Sequence, residues 1–226
     1  MKTINLSVLI TLFALSNSFS QVRIDNELLN PFTLRNINKT NINDIKGTPY
    51  IQQDFAPALV DKIPGEHMSA RYNAYSDDIE IKKGNEKFIL NKKSEFSKIK
   101  FIATKIVYKA YNYIENDSNK RGYLAQLNPT GTTLLLKKQS ILFIDAKTSK
   151  TGYDEGSPAQ FKKVKDKYFI KINDNNIVEL PKSKKTIAKL FPKYEKEILS
   201  YIKKQGINIK KEIDLIKLID YVNTLK

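Results

Sequence analysis

Short hydrophobic runs with an alternating pattern dominate the middle of the chain. Between Gly47 and Leu180, aromatic and β-branched residues occur in brief segments that Gly, Asn, Asp and Pro separate. This spacing is typical of β-strands that are joined by tight turns. The pattern predicts roughly eight to ten strands in meander order, which form one antiparallel sheet that is strongly curved or partly closed.

Three pairs of these segments have the form of β-hairpins, because a polar turn joins two hydrophobic runs. The predicted pairs are Ile79–Ile81 with Phe88–Leu90, Tyr123–Leu127 with Thr132–Leu136, and Phe161–Val164 with Tyr168–Ile172. Between the first two pairs, hydrophobic residues in Ile99–Ile114 occupy both odd-numbered and even-numbered positions. Both faces of that stretch are therefore predicted to be partly buried.

From Pro181 onwards, hydrophobic residues recur every three to four positions, which is the spacing of amphipathic helices. Ser183 can cap a short helix that ends just before Pro192, and Pro192 begins a second helix that ends at Gly206. A third helix is predicted over about 210–225. Each helix has an apolar stripe and should dock on the sheet. The predicted fold class is α+β, a curved or partly closed antiparallel β-meander with two to three C-terminal helices.

The first twenty residues have the pattern of a cleaved secretory signal peptide. Lys2 precedes a hydrophobic run that is shorter than the ~20 residues needed to span a bilayer, and Ser18-Phe19-Ser20 resembles a cleavage site. We expect export of the chain to the periplasm or the outer-membrane periphery rather than to the medium. A retained membrane anchor is the weaker alternative, and the mature chain is predicted to lack a transmembrane span.

These patterns divide the chain into four segments. Residues 1–20 are predicted to be the signal peptide, and residues 21–46, which are rich in asparagine, are predicted to form an N-terminal arm. Residues 47–181 are predicted to form the antiparallel β domain. Residues 182–226 are predicted to form a basic helical tail that packs on the sheet.

Basic residues greatly outnumber acidic residues. The chain has 39 Lys and Arg against 24 Asp and Glu, and its formal net charge is +15. Twelve lysines and five acidic residues lie in 182–226, so this tail has a net charge of +7. Such charge attracts anionic partners, which in the cell envelope are acidic proteins and the anionic membrane surface. The alternative is that the lysines serve solubility alone.

Nucleic acid is a less favoured partner. The stretch from Lys105 to Tyr113 interleaves lysines with tyrosines, which is typical of surfaces that stack on bases. The predicted export would separate the protein from the nucleic acid of the cell, and tyrosines that pack a sheet face explain the same pattern. The sequence does not predict an oligomeric state.

The residue inventory excludes several kinds of site. The chain has no cysteine, which rules out disulfides, thiolate metal sites and lipoprotein acylation. His67 is the single histidine, so a catalytic triad or a multi-histidine metal site would need it, and no neighbour in sequence orients it. P-loop, Rossmann, EF-hand and HExxH motifs are absent. We therefore expect no cofactor.

Candidate binding residues lie between Arg71 and Glu80. In a strand, Arg71, Asn73 and Tyr75 project from the same face and could form a row of hydrogen-bonding groups that faces a ligand. The alternative is that they stabilise a turn, with Arg71 paired to one of the two following aspartates.

The acidic residues of the same segment could bind a hard cation. Asp78 and Glu80 would share one face of a strand, and carboxylates are the ligands that such cations prefer. Arg71, Lys82 and Lys83 lie nearby, however, so the sequence favours ion pairs over a metal site.

Four stretches together resemble a group of exported proteins of similar length from Bacteroidota, for which no activity is established. They are Gly47-Thr48-Pro49-Tyr50 with Arg71-Tyr72-Asn73-Ala74-Tyr75, Gly122–Lys138, Pro158–Lys171 and the basic helical stretch Lys211–Tyr221. The resemblance covers most of the mature chain and implies export, but no activity. The chain departs from the group's pattern at Ser76-Asp77-Asp78, where the group has Asp-Glu in part of this stretch.

Three functional hypotheses follow. The first is a non-enzymatic periplasmic or envelope-associated binding protein for an acidic partner. The second is a carrier of a lipid or other hydrophobic ligand in a concave sheet face that Tyr and Phe line. The third is a hydrolase that uses Asp77, Asp78 or Glu80.

Overall fold

A computed structural model describes residues 32–34, 45–63, 67–93, 95–128, 130–147, 156–174 and 176–225. The predicted signal peptide and most of the asparagine-rich arm lie outside this part. The described residues form thirteen strands, more than the eight to ten expected, followed by helices. The strands are β1 (Phe32–Leu34), β2 (Ala56–Val60), β3 (Met68–Asn73), β4 (Asp78–Lys83), β5 (Glu86–Leu90), β6 (Lys98–Phe101), β7 (Val107–Glu115), β8 (Ser118–Gln126), β9 (Thr133–Lys138), β10 (Ile141–Ile144), β11 (Gln160–Lys163), β12 (Lys167–Ile172) and β13 (Ile177–Glu179).

Eleven strands form one sheet that closes on itself at one end. The strand order is β1-β5-β4-β3-β2-β6-β7-β13-β12-β9-β8, and β8 pairs back with β7. The last five strands therefore form a closed ring, and the first six extend from β7 as a curved sheet. β10 and β11 form a separate hairpin. The strand pairs described here are antiparallel except for β13 with β7. The α+β class with a curved, partly closed β-meander is thus confirmed.

Two of the three predicted hairpins are confirmed. β4 and β5 are joined at Gly84-Asn85, where Gly84 has a φ of +60°, and β8 pairs with β9. The third prediction is wrong, because β11 pairs with β10 whereas β12 pairs with β9 and β13. The two strands separate because they serve different cores: Phe161 packs against the curved sheet, and Phe169 is buried in the ring.

Strand β7 is buried on both faces, as its sequence predicts. Tyr108 and Ala110 pack against the concave face of the curved sheet, whereas Tyr113 points into the ring. The predicted segment Ile99–Ile114 is divided into β6 and β7 by a turn, in which Lys105 has a φ of 58°.

The interiors of both parts of the sheet are filled by side chains. The ring is packed with Tyr113, Leu124, Leu136, Phe169 and Ile177. The concave face of the curved sheet closes over the outer face of β8, with the rings of Tyr72, Tyr108 and Tyr123 in contact.

Three helices follow the sheet, as predicted. They are α1 (Lys184–Lys189), α2 (Glu195–Lys204), which a 3₁₀ turn at Pro192–Tyr194 precedes, and α3 (Glu212–Thr224). The Ser183 hydroxyl accepts a hydrogen bond from the Thr186 amide at 3.1 Å and caps α1. Gly206 ends α2 with a φ of 62°.

The helices pack on the outside of the ring through Leu135 of β9 and Ile170 of β12. Two polar contacts fix α3 there. Lys137 forms an ion pair with Glu212 at 2.8 Å, and the Asn223 amide forms two hydrogen bonds with the backbone of Thr133. Among the described helices, none has the length and apolar character that a membrane span requires.

Candidate functional site

Arg71 and Glu80 form a buried ion pair between β3 and β4. They are direct partners in the strand register, and the Nε and Nη2 atoms of Arg71 lie 2.9 and 2.8 Å from Oε2 of Glu80. Glu80 is only 2% exposed. The alternative pairing of Arg71 with Asp77 or Asp78 is therefore wrong, because the register places Glu80 directly opposite Arg71.

The guanidinium of Arg71 is held between two aromatic rings. It lies 3.5 Å from the ring centroid of Tyr50 and 4.3 Å from that of Phe55. It also donates to the Tyr50 hydroxyl at 2.5 Å and to the backbone carbonyl of Gln53 at 2.9 Å. Cation–π contacts and charge-assisted hydrogen bonds together hold the Arg71 side chain rigidly in place. We call Arg71, Glu80 and the groups bonded to them the polar floor, because they form the base of the cleft described below.

Asn73 and Tyr75 continue the same face. Asn73 donates to Oε1 of Glu80 at 3.1 Å, and its Oδ1 accepts hydrogen bonds from the amides of Tyr75 and Ser76. Asn73 thus both completes the floor and shapes the turn after β3. The side chain of Tyr75 is 52% exposed.

Four of the five predicted binding residues line one cleft of about 530 Å³, namely Arg71, Asn73, Tyr75 and Glu80. The β10–β11 hairpin supplies the opposite wall. The ring of Tyr75 lies 5.3 Å from that of Phe161 and 6.4 Å from that of Phe143. The cleft therefore combines an aromatic wall with a polar floor, which is the usual character of a small-molecule site.

The fifth predicted residue, Asp78, does not line the cleft. Its carboxylate forms an ion pair with Lys92 at 3.0 Å. Both carboxylates of the predicted cation site are thus held by basic side chains. Within the described ranges, no group of three or more His, Cys, Asp or Glu side chains is placed to hold a metal ion.

Asp77 belongs to a separate buried network behind the cleft. Its Oδ1 lies 2.5 Å from Nζ of Lys138 and accepts a hydrogen bond from the Tyr72 hydroxyl at 2.7 Å. The Tyr123 amide donates to both carboxylate oxygens at 3.2 Å. Burial lowers the pKa of Lys138, although Asp77 opposes this shift, and burial raises the pKa of Tyr72. This network ties the β3–β4 turn to β8 and β9.

The C-terminal helices carry a basic surface. Eleven lysines of the described tail are all exposed, and none forms an ion pair with a residue that the structure describes. Ile213 of α3 is 62% exposed beside them. We call this set the lysine surface: Lys182, Lys184, Lys185, Lys189, Lys193, Lys196, Lys203, Lys204, Lys210, Lys211 and Lys217.

Sequence reasoning missed several residues of these sites. Phe143 and Phe161 face Tyr75 because β10 and β11 pair with Phe143 opposite Phe161, a register that no local motif indicates. Lys138 reaches Asp77 across 61 positions of sequence. Tyr50 belongs to the stretch Gly47-Thr48-Pro49-Tyr50, but no feature of the sequence assigns it a binding role. His67 is exposed and belongs neither to the cleft nor to the lysine surface.

No family model, no curated protein and no solved structure matches this chain. The resemblance to exported proteins of Bacteroidota therefore stays a prediction.

Proposed function

We propose that this protein is an exported, non-enzymatic binding protein of the bacterial cell envelope, and that the lysine surface binds an acidic partner. The observation that carries this proposal is the set of eleven exposed lysines without a described ion-pair partner. Lys137 of β9, by contrast, forms an ion pair with Glu212. A dense, unpaired set is suited to long-range attraction of anions.

An anionic membrane surface is the partner that the described residues favour over an acidic protein. The exposed Ile213 lies on α3 among Lys210, Lys211 and Lys217. Peripheral membrane proteins combine basic residues that attract anionic headgroups with apolar side chains that enter the interface. Each such lysine contributes about 1 kcal/mol near an anionic leaflet.

The two other hypotheses have less support. The concave sheet face that would carry a hydrophobic ligand is occupied by the protein's own tyrosines. The three carboxylates proposed for a hydrolase are engaged with basic side chains: Asp77 with Lys138, Asp78 with Lys92 and Glu80 with Arg71. Such engagement is typical of structural ion pairs.

The proposal can be tested with vesicles that contain an anionic phospholipid and with vesicles of phosphatidylcholine alone. We expect binding to the anionic vesicles only, and we expect it to fall steeply between about 0.05 and about 0.5 M salt because the Debye length shortens. Replacement of Lys203, Lys204, Lys210 and Lys211 by Gln should abolish this binding.

A matched variant controls for net charge. Lys100, Lys147, Lys162 and Lys165 are exposed on the β part, and their replacement by Gln removes the same four charges from another surface. This variant should retain most of the binding. Equal loss in both variants, or binding that ignores salt, would exclude a specific role for the lysine surface. Ile213→Ala separates the two partner classes, since it should weaken vesicle binding and leave binding to an acidic envelope protein unchanged.

Export has its own test. If Met1–Ser20 is a signal peptide, the protein from the periplasmic fraction of its host should begin at Gln21 by N-terminal sequencing. Recovery of the intact N-terminus in the cytoplasm would contradict this part of the proposal.

A further inference from the structure

Two lysines lie directly opposite each other on neighbouring strands, and one of them lines the cleft that Tyr75, Phe143 and Phe161 also line. Lys82 of β4 is the register partner of Lys87 of β5, and Lys87 lines the cleft. The β-carbons of such cross-strand partners are about 5 Å apart, and like charges at this distance destabilise a sheet. Their side chains project from the same face as Arg71 and Glu80, because strand side chains alternate with a period of two.

The acidic residues on this face do not neutralise the two lysines. Glu80 is bonded to Arg71, and Asp78 is bonded to Lys92. Neither Lys82 nor Lys87 forms an ion pair with any residue in the described part of the chain. The charge of Lys87 in the cleft, together with that of its neighbour Lys82, could therefore be compensated by an anionic group.

The aromatic wall lines the same cleft as Lys87. Tyr75, Phe143 and Phe161 present rings whose centroids are 5.1 to 6.4 Å apart. Aromatic rings at these distances form a platform against which another ring can pack in a tilted or edge-to-face arrangement. The exposed half of Tyr75 leaves part of this platform accessible.

We propose that the cleft is a binding site for a small amphipathic anion, which packs an aromatic ring against Tyr75, Phe143 and Phe161 and places its anionic group at Lys82 and Lys87. The volume of about 530 Å³ lies within the range of about 300 to 1,000 Å³ that small-molecule sites show. The floor is preorganised, since Arg71 is fixed by Glu80, Tyr50 and Phe55. This site is independent of the lysine surface.

Two probe ligands distinguish the contribution of the aromatic ring to binding from that of the anionic group. We suggest NMR titration of the ¹⁵N-labelled protein with 2-naphthoate and with 2-naphthamide, which share a ring system and differ in the anionic group. The 2-naphthoate should bind with a Kd below about 1 mM, at least about fivefold more tightly than the amide. The amide signals of Asn73, Tyr75, Phe143 and Phe161 should shift.

Two variants with matched controls assign the contacts. Tyr75→Ala should weaken binding of both probes about tenfold, whereas Leu142→Ala, which removes an exposed side chain from the same hairpin as Phe143, should leave it unchanged. Lys87→Gln should abolish the preference for 2-naphthoate. Lys83→Gln removes one charge from the neighbouring position on the opposite face and should preserve that preference.

Several results would overturn the inference. No saturable shift with about 5 mM 2-naphthoate would exclude the site. Equal affinity for both probes, or shifts outside the cleft, would exclude the assigned chemistry. Urea unfolding of each variant shows whether the fold is intact. The lysine-surface variant should bind both probes normally, so failure of the proposed envelope function does not affect this test.

Discussion

At the residue scale, Gly122 and Asp77 depend on each other. Asp77 has a φ of 58° at the β3–β4 turn and directs its carboxylate onto β8, beside the Cα atom of Gly122. A β-carbon at position 122 would lie far inside van der Waals contact with the Asp77 carboxylate and close to Lys138. The ion pair between Asp77 and Lys138 therefore requires a glycine at position 122 of β8.

We predict that Gly122→Ala lowers the free energy of unfolding by about 2–3 kcal/mol, because the carboxylate must move and weaken its contacts with Lys138 and Tyr72. Urea denaturation measures this loss. In an Asp77→Ala background, the same substitution should cost much less, since the obstructing carboxylate is gone. Additive losses would show that the glycine serves another purpose.

What the sequence predicts at this scale is limited to local geometry. The common face of Arg71, Asn73 and Tyr75 follows from the two-residue period of a strand, and the structure places all three at one cleft. The partner of Arg71 was not predictable, because it depends on the register of β3 with β4. The contact of Lys138 with Asp77 was not predictable either, because only the closed sheet brings the two residues together.

At the scale of elements, one side chain of α3 makes two hydrogen bonds to the start of strand β9. Asn223 accepts a hydrogen bond from the amide of Thr133 and donates one to its carbonyl, both at 2.9 Å. Thr133 begins β9 and is fully buried. Asn223 thus adds two hydrogen bonds to the backbone of Thr133, whose carbonyl also accepts one from the Asn128 side chain at 2.8 Å.

We predict that Asn223→Ala lowers the free energy of unfolding by about 1–2 kcal/mol, because the amide and the carbonyl of Thr133 each lose a hydrogen bond to Asn223. Hydrogen exchange should show faster exchange of the Thr133 amide, while amides in the core of the curved sheet stay protected. Thr224→Ala changes the adjacent side chain, which bonds only within its own helix, and serves as the control. Unchanged protection of Thr133 in Asn223→Ala would contradict the assignment.

The helices were better predicted than the pairing of the strands. Ser183, Pro192 and Gly206 are boundary signals that act within one turn of helix, and each acts as expected. Strand pairing depends on residues far apart in sequence. The polar residues Lys165-Asp166-Lys167 therefore look like a hairpin turn in the sequence, although the chain passes there from one core to the other.

At the scale of the whole molecule, buried tyrosines link stability to alkaline pH. Burial raises the pKa of Tyr72, Tyr108, Tyr113 and Tyr123 above the ordinary value of 10. These hydroxyls stay protonated in the folded state while those of the unfolded chain ionise. Their contribution to stability is therefore complete below about pH 10 and is lost as the pH rises further.

We predict that the urea midpoint falls steeply between about pH 9.5 and about pH 11.5. Each of these tyrosines contributes a slope of up to about 1.4 kcal/mol per pH unit. Tyr113→Phe should reduce the slope by about that amount. Lys138 acts in the opposite sense, because its lowered pKa makes stability rise with pH, so Lys138→Met should steepen the decline. A midpoint that is flat over this range would contradict the prediction.

The hairpin of β7 and β8 has a consequence for the order of folding. Its strands are joined at Asn116-Asp117, both with positive φ, and nine residue pairs connect them. The hairpin is local in sequence, whereas ring closure needs β13 to reach β7 from more than sixty residues away. Because local contacts form with the least loss of chain entropy, the hairpin can act as a shared nucleus. Folding φ-values, which compare the effect of a mutation on the folding rate with its effect on stability, should be near one in this hairpin and near zero in β13. Both hydrophobic cores would then begin to form from the same hairpin.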